Sequence, residues 1–258
     1  MHILVTNDDG YMAPGIQALV KSLAELGNIV LAAPLEEQSA SGHGITLRQP
    51  IQVRELSIPG TDKAWAVAGT PADCVKLAVK EFMSEPFGLL VSGINNGPNL
   101  GTDVLYSGTV SAAIEGALLG IPSMAVSLAS YEYSFYATAA HITKQLIQQI
   151  YHKQRFLPPD TLLNINIPGV AQAKIKGFRV TKLGAREYAD EFEKRTDPRG
   201  NSYYWMKGSI VPPQEKDPDV DAVAVEEKYV SITPLQFDLT NYNLVKQVEE
   251  WGLGDIRL

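Results

Sequence analysis

Two adjacent carboxylates, Asp8 and Asp9, stand in the run TNDDGY at residues 6–11. Side by side they repel each other, and a bound cation resolves the conflict. Oxygen donors of this kind suit hard ions such as Mg²⁺, Mn²⁺ or Ca²⁺ rather than zinc. Neighbouring side chains of a straight strand point to opposite faces, so one ion takes both carboxylates only where the chain turns, and Gly10 permits a turn. The competing reading is an Asx-turn, with Asp8 or Asp9 capping the helix that begins near residue 13.

A second cluster, QSASGHG at 38–44, brings Ser39 as a neutral oxygen for a metal and His43 as a proton donor or phosphate-orienting group. A plain connector loop has the same composition. The third cluster, SGINNGPNLGTDVLYSGTVSAA at 92–113, is the most informative. It offers the amides of Asn95 and Asn96, the carboxylate of Asp103, and Ser107, Gly108 and Thr109 at the start of a helix, where unpaired N–H groups and the positive dipole end suit a phosphate. Ser107 or Thr109 would equally serve as that helix's cap.

Hydrophobic spacing predicts the elements that hold these clusters. Apolar runs predict strands at 2–6, 28–33, 87–92, 123–128 and 162–167, and helical periodicity predicts helices at 13–26, 72–83, 107–119 and 135–154. Strand and helix alternate, which implies an α/β doubly wound, mostly parallel sheet with helices on both faces. Each polar cluster then falls just beyond a strand, where open parallel sheets bind ligands. Past Gly177 the texture changes, with Tyr203, Tyr204 and Trp205 in one run and charges at 215–221. Residues 178–237 read as β-rich hairpins and loops, followed by a last helix near 241–251.

The expected organisation is a single domain over 1–258, comprising an α/β core at 1–177 and, at 178–258, a hairpin arm with a terminal helix for oligomerisation. The arm is expected to exchange contacts with a partner subunit; folding back on its own core is the alternative. Asp62, Lys63 and the charges at 215–221 read as solvated loop, Cys74 and Met83 as core, and His2, His141 and His152 as structural.

Composition narrows the function. Of 258 residues 45% are hydrophobic and 20% charged, enough apolar material for a sizeable core. A net charge of −7 and a pI near 5.2 argue against a nucleic-acid polymer as partner, because such affinity rests on Lys and Arg neutralising phosphates. A small phosphorylated ligand remains compatible when a metal supplies the local positive field. One cysteine excludes an internal disulfide, and neither an export leader nor an uninterrupted apolar stretch of membrane-spanning length is evident, so cytoplasmic residence without a membrane partner is expected.

Taken together, TNDDGY, QSASGHG, GTPADCV at 69–75 and the run at 92–113 closely resemble the stationary-phase survival protein SurE family of metal-dependent nucleotidases. The resemblance implies a Rossmann-like core, one divalent metal (Mg²⁺ or Mn²⁺) per subunit, and hydrolysis of nucleoside 5′- and 3′-monophosphates, with short-chain polyphosphate as a further substrate. It implies a homodimer or homotetramer. By residue type the family's metal ligands fall on Asp8, Asp9, Ser39 and Asn95, and its phosphate contacts on Asn96, Ser107, Gly108 and Thr109. Asp9 or His43 would manage proton transfer, and the sequence does not choose between them. Three rivals fit less well. A haloacid-dehalogenase-type phosphatase lacks its second spaced aspartate here, a Rossmann oxidoreductase lacks GxGxxG, and a nucleotide-binding stress adaptor without turnover leaves the acidic pair unexplained.

Overall fold

The computed structural model describes residues 1–131, 135–153, 157–158, 160–186, 188–211, 216–253 and 256. Six strands form the parallel heart of the sheet: β1 (His2–Thr6), β2 (Asn28–Pro34), β4 (Lys63–Val67), β5 (Phe87–Asn96), β6 (Ser123–Ala129) and β7 (Thr161–Pro168). Four of the five residues of β1 and six of the seven of β2 are buried without alternation, the pattern of strands covered on both faces.

The chain starts in the middle of this sheet. It runs outward from β1 to β2 and β4 on one side, then returns to β5 on the other side of β1 and continues to β6 and β7. The strand order therefore reverses between β1 and β5, and the crevice beyond their carboxyl ends is the topological switch point.

Helices cover both faces. α1 (Pro14–Leu23) starts with Pro at its first turn and buries Ile16, Leu19, Val20 and Leu23 beside α4 (Tyr136–His152), which adds Ala139, Ile142 and Ile147 to the same core. The opposite face carries α2 (Pro71–Leu77) and α3 (Gly108–Leu118), which pack Cys74, Val75, Val110 and Ala113 against Leu4 and Leu90. α2 begins with a capping box, Thr70 Oγ accepting from the Asp73 N–H and Asp73 returning the bond to the Thr70 N–H.

Several expectations change. The strand expected at 87–92 continues to Asn96 and so carries Asn95 and Asn96 on its own end. The helix expected at 72–83 is α2 followed by a wider π-type turn, Ala78–Phe82. Lys63, read as solvated loop, opens the buried strand β4, which pairs antiparallel with the edge strand β3 (Val53–Leu56). Asp221, the last of the charges read as solvated, is fully buried at the start of a short helix, α5 (Asp221–Glu226). Glu215 lies outside the described residues, as does Gln154 at the end of the predicted helix 135–154.

Two strands from beyond residue 177 also join the central sheet. β11 (Tyr229–Gln236) pairs antiparallel with β7, and β8 (Gly177–Val180) pairs with β11, which makes nine strands in all among the described residues. β9 (Tyr188–Thr196) and β10 (Ser202–Ile210) form a separate antiparallel hairpin, and α6 (Tyr242–Glu249) follows β11. Among the described residues no helix is long and apolar enough to cross a membrane.

Candidate active site

The residues after β1 turn sharply. Gly10 has φ +95°, and Asn7 Nδ2 donates to Gly10 O at 2.9 Å, closing the turn. α1 has Ala13 at its N-cap with no side-chain cap bond, so neither aspartate is spent on capping it and the Asx-turn alternative falls away. Asp8 is 5% exposed and points at the start of α3, where its Oδ1 accepts from the Thr109 hydroxyl and the carboxylate also takes the Thr109 backbone N–H. Asp9 crosses to the end of β5 and accepts from the Asn96 N–H at 3.1 Å. The switch point thus gathers both carboxylates, Asn95, Asn96 and the first turn of α3.

The two carboxyls share an electrostatic problem. Burial pushes Asp8 above the usual carboxylate range, opposed by the bonds from Thr109. Burial, and then the neighbouring charge of Asp8, push Asp9 up to about 6. A cation between them favours both ionised forms and removes the repulsion. The other donors fit a hard cation. Asn95 commits Nδ2 to Gly97 O at 2.8 Å, so its carbonyl oxygen is what it has to offer. Ser39 gives its proton to Glu37 Oε1 at 2.5 Å, which leaves the lone pairs of its oxygen. Among the described residues no group of three or more His, Cys, Asp or Glu side chains converges, so a cation at the switch point would rest on two carboxylates and neutral oxygens.

The start of α3 performs two tasks. Ser107 is its N-cap, with Oγ accepting from the Val110 N–H at 3.1 Å, as the capping alternative foresaw. Thr109 is committed to Asp8 instead. The positive end of the helix therefore already faces one carboxylate, which it helps to hold ionised. Gly108 is required by close approach: a Cβ there would lie 2.8 Å from Asp8 Cβ and 3.0 Å from Ser41 Oγ.

His43 is oriented otherwise than expected for a proton donor to phosphate. Its Nε2 lies 2.9 Å from Glu115 Oε2, nearly two turns along α3 from Thr109, and Lys76 of α2 holds the other oxygen of Glu115 at 2.7 Å. Burial alone would raise Glu115, but the bonds from His43 and Lys76 outweigh it and keep the carboxyl low. His43 thus pins the 38–44 loop to α3, and the Gly42 N–H adds a bond to Tyr106 O at 3.1 Å. Sequence reading missed Glu115 and Lys76 because Glu115 stands 72 residues from His43 and nothing in the spacing of the three marks them as partners.

A cavity of about 850 Å³ opens onto the switch point, within the range of roughly 300–1,000 Å³ usual for small-molecule sites. Asp8, Ser39, Asn95, Asn96 and Ser107 line its inner end; Asp9, Gly108 and Thr109 stand behind that lining, and His43 is turned away. A smaller cavity of about 310 Å³ lies beside Thr46 and Thr70 with Glu36 as its one ionisable residue, which leaves it without paired groups for chemistry.

Asn99 stiffens the loop between Asn96 and α3 from below. Its N–H donates to Asn166 Oδ1 and its Nδ2 to Ser127 Oγ, both at 2.8 Å, while Asn164 and Asn166 both donate to its carbonyl. Further out, the buried Asp221 accepts from the Gly101 N–H at 2.7 Å and the Gly184 N–H at 3.1 Å. Both supports join residues far apart in sequence.

Comparison with known proteins gives a consistent result. The family model described as Survival protein SurE matches residues 3–190. A protein named 5′-nucleotidase SurE from Heliobacterium modesticaldum is 50% identical over 252 residues, covering 97% of this chain and 92% of the relative. Its namesake from Syntrophomonas wolfei is 51% identical, covering 96% and 93%. Among solved structures, the crystal structure of the SurE protein from Aquifex aeolicus superposes with a TM-score of 0.85 at 38% identity, covering 98% of this chain and all of that one.

Proposed function

The chain belongs to the survival protein SurE family, and from that premise we propose that it is a 5′-nucleotidase, a divalent-metal-dependent phosphomonoesterase acting on nucleoside 5′-monophosphates. In this reading 3′-monophosphates and short-chain polyphosphate are further substrates. The carrying observation is the meeting of one buried and one half-buried carboxylate, each strained electrostatically, with neutral oxygen donors at the sheet's switch point.

Asp8, Asp9, Ser39 and Asn95 would hold one Mg²⁺ or Mn²⁺ per subunit. When bound, such an ion supplies Lewis-acid neutralisation of phosphate charge and lowers the pKa of an attacking water. Asn96 and Ser107 line the inner cavity and would orient the phosphate, with Gly108 and Thr109 lending the positive end of α3. Thr109 would act largely through Asp8, whose orientation it sets by hydroxyl and backbone N–H.

The reaction adds water to phosphorus, breaks the bond from phosphorus to the ester oxygen, and moves a proton from that water to the departing ester oxygen, which leaves as the nucleoside hydroxyl. Of the two proton carriers considered, Asp9 has the favourable position, since it stands at the switch point while His43 is engaged with Glu115. We assign His43 a positioning role on the loop that carries Ser39.

The net charge of −7 supports a small nucleotide over a nucleic-acid polymer as ligand. The exposed aromatic residues of β9 and β10 support self-association as a homodimer or homotetramer. Cytoplasmic residence is part of the same proposal.

The test is phosphate release from a panel of nucleoside 5′- and 3′-monophosphates with Mg²⁺ or Mn²⁺, repeated with excess chelator. Release that chelation abolishes and added metal restores is the expected result; undiminished release under chelation would remove the metal from the proposal.

A further inference from the structure

The 850 Å³ cavity has two unlike ends, and phosphoester chemistry occupies only the inner one. The outer end is lined by Tyr106, Tyr131, Tyr188 and Met206, together with Asp103 and Arg186. These tyrosines remain largely open, at 67%, 71% and 43% exposure, and Met206 at 71%. The Arg186 guanidinium lies 5.8 Å from the centre of the Tyr188 ring, and aromatic side chains left this open along a cavity wall are suited to a flat apolar ligand.

The wall is held in place rather than loose. The Tyr188 hydroxyl donates to Asp103 Oδ2 at 2.7 Å, and Arg186 Nη1 stands 2.8 Å from the same oxygen in an ionic approach off hydrogen-bond alignment. Burial and the Asp103 carboxylate push the Tyr188 hydroxyl up to about 12, so it stays a donor at neutral pH. The 3₁₀ turn bearing Asp103 is anchored at Gly101 by Asp221. Tyr106 directly precedes Ser107, so the aromatic wall begins one residue from the inner polar end. In the hairpin register Met206 faces Phe192, and residues two apart share a face, which places Tyr188 and Met206 on one face. That face closes the outer cavity.

Resting on the nucleotidase reading, we propose that this outer end is the nucleoside subsite: the base lies against the Tyr106, Tyr131 and Tyr188 wall, and the β9–β10 hairpin is part of the substrate site. Stacking of a base on aromatic side chains tolerates any base. The subsite therefore distinguishes nucleotides from other phosphomonoesters more sharply than it distinguishes one base from another, and it favours purines through their larger face.

The decisive comparison is a nucleoside 5′-monophosphate against ribose 5-phosphate, which keeps ester and sugar but lacks the base. The wild-type protein is expected to prefer the nucleotide in kcat/KM. Y131A and Y188A should each lower that preference by roughly five- to a hundredfold, and Y131F should retain it. Equal losses on both substrates, or no loss on either, would overturn the subsite.

A second measurement separates this inference from the reading beneath it. Adenosine, which carries no phosphate, should bind the chelator-treated protein by calorimetry and bind Y188A at least fivefold more weakly. Tyrosine-dependent adenosine binding without phosphate release from any monophosphate would leave the subsite standing and sink the nucleotidase. Phosphate release with tyrosine-independent adenosine binding would do the reverse.

Discussion

The two ends of the cavity are built in opposite ways. At the inner end, Asp8, Ser107 and Thr109 are nearly inaccessible, and the end of β1 and the start of α3 place them through bonds that leave little freedom. At the outer end, Tyr188 and Met206 come from a two-stranded hairpin outside that sheet, with most of its large side chains open. Chemistry on phosphorus demands fixed geometry, which rigid elements supply. Holding a flat base requires only a face of adequate area. The contrast predicts that substitutions at the inner end act on the chemical step and those further out act on stability, preference or assembly.

The largest expected effect is at Asp8. Asp8→Asn keeps the side-chain shape but removes the charge that faces Thr109 and the proposed metal, and phosphate release should fall by about a thousandfold or more, roughly 4 kcal/mol in the barrier. Circular dichroism should match the parent. Retained activity in that variant with metal present would erase the distinction between the two ends.

Next comes Asp221, which joins the inner framework to the outer wall through Gly101, Gly184 and Ala222. Asp221→Ala strands buried N–H groups and should cost about 2–4 kcal/mol in denaturant unfolding. Its pH dependence has a definite sign. Burial raises the carboxyl above its usual value despite bonds from those three N–H groups. A carboxyl raised on folding contributes its stability below its unfolded pKa and loses it as pH rises through the folded value. The stability gap between wild type and Asp221→Ala should therefore be widest in acid and narrow with rising pH. A gap that widens toward alkaline pH would contradict the assignment.

How far the sequence could be read follows the same division. Uninterrupted apolar runs announced β1, β2, β5, β6 and β7, and the inner cluster was legible because its residues sit in three short motifs, two just past a strand and the third running from the end of β5 to the start of α3. The outer supports were not. Tyr188 and Asp103 are 85 residues apart, and Asp221 and Gly101 are 120 apart, so no local spacing joins them. Asp221 sits among exposed charges, and only tertiary burial separates it from Asp217 and Asp219. β4 was obscured for another reason: KAWAV is five residues long and buried without alternation, and it lacks the β-branched density that marks a strand. β3 is an edge strand whose four residues, VREL, are mostly exposed and present no apolar stripe.

His43 gives a smaller and more discriminating effect. A true general acid or base contributes about 10²- to 10⁴-fold, and its loss removes one limb of the pH–rate profile. A residue that only pins the Ser39 loop to Glu115 should cost less than about tenfold in kcat when changed to Ala, shift the metal concentration needed for half-maximal activity upward, and leave the shape of the pH profile intact. Glu115→Gln should shift that metal requirement in the same direction, because it weakens the same tie without touching the loop. Loss of a pH limb in His43→Ala would move His43 back into the chemistry.

The smallest effect on the single chain, and the clearest on assembly, lies on the far face of the hairpin. Tyr203 and Trp205 alternate with Tyr204 and Met206, so they point away from the cavity, and they remain 43% and 56% exposed. A double change to Ser removes little that this chain buries, and its own unfolding free energy should move by no more than about 0.5 kcal/mol per site. If the face meets a second subunit, the molar mass by light scattering should drop and become dependent on dilution, because exposed aromatic area of this kind is what association buries. An unchanged mass with a clearly lowered unfolding free energy would mean that the hairpin packs on its own core in solution, and the outer wall would then belong to the rigid framework as fully as the inner end does.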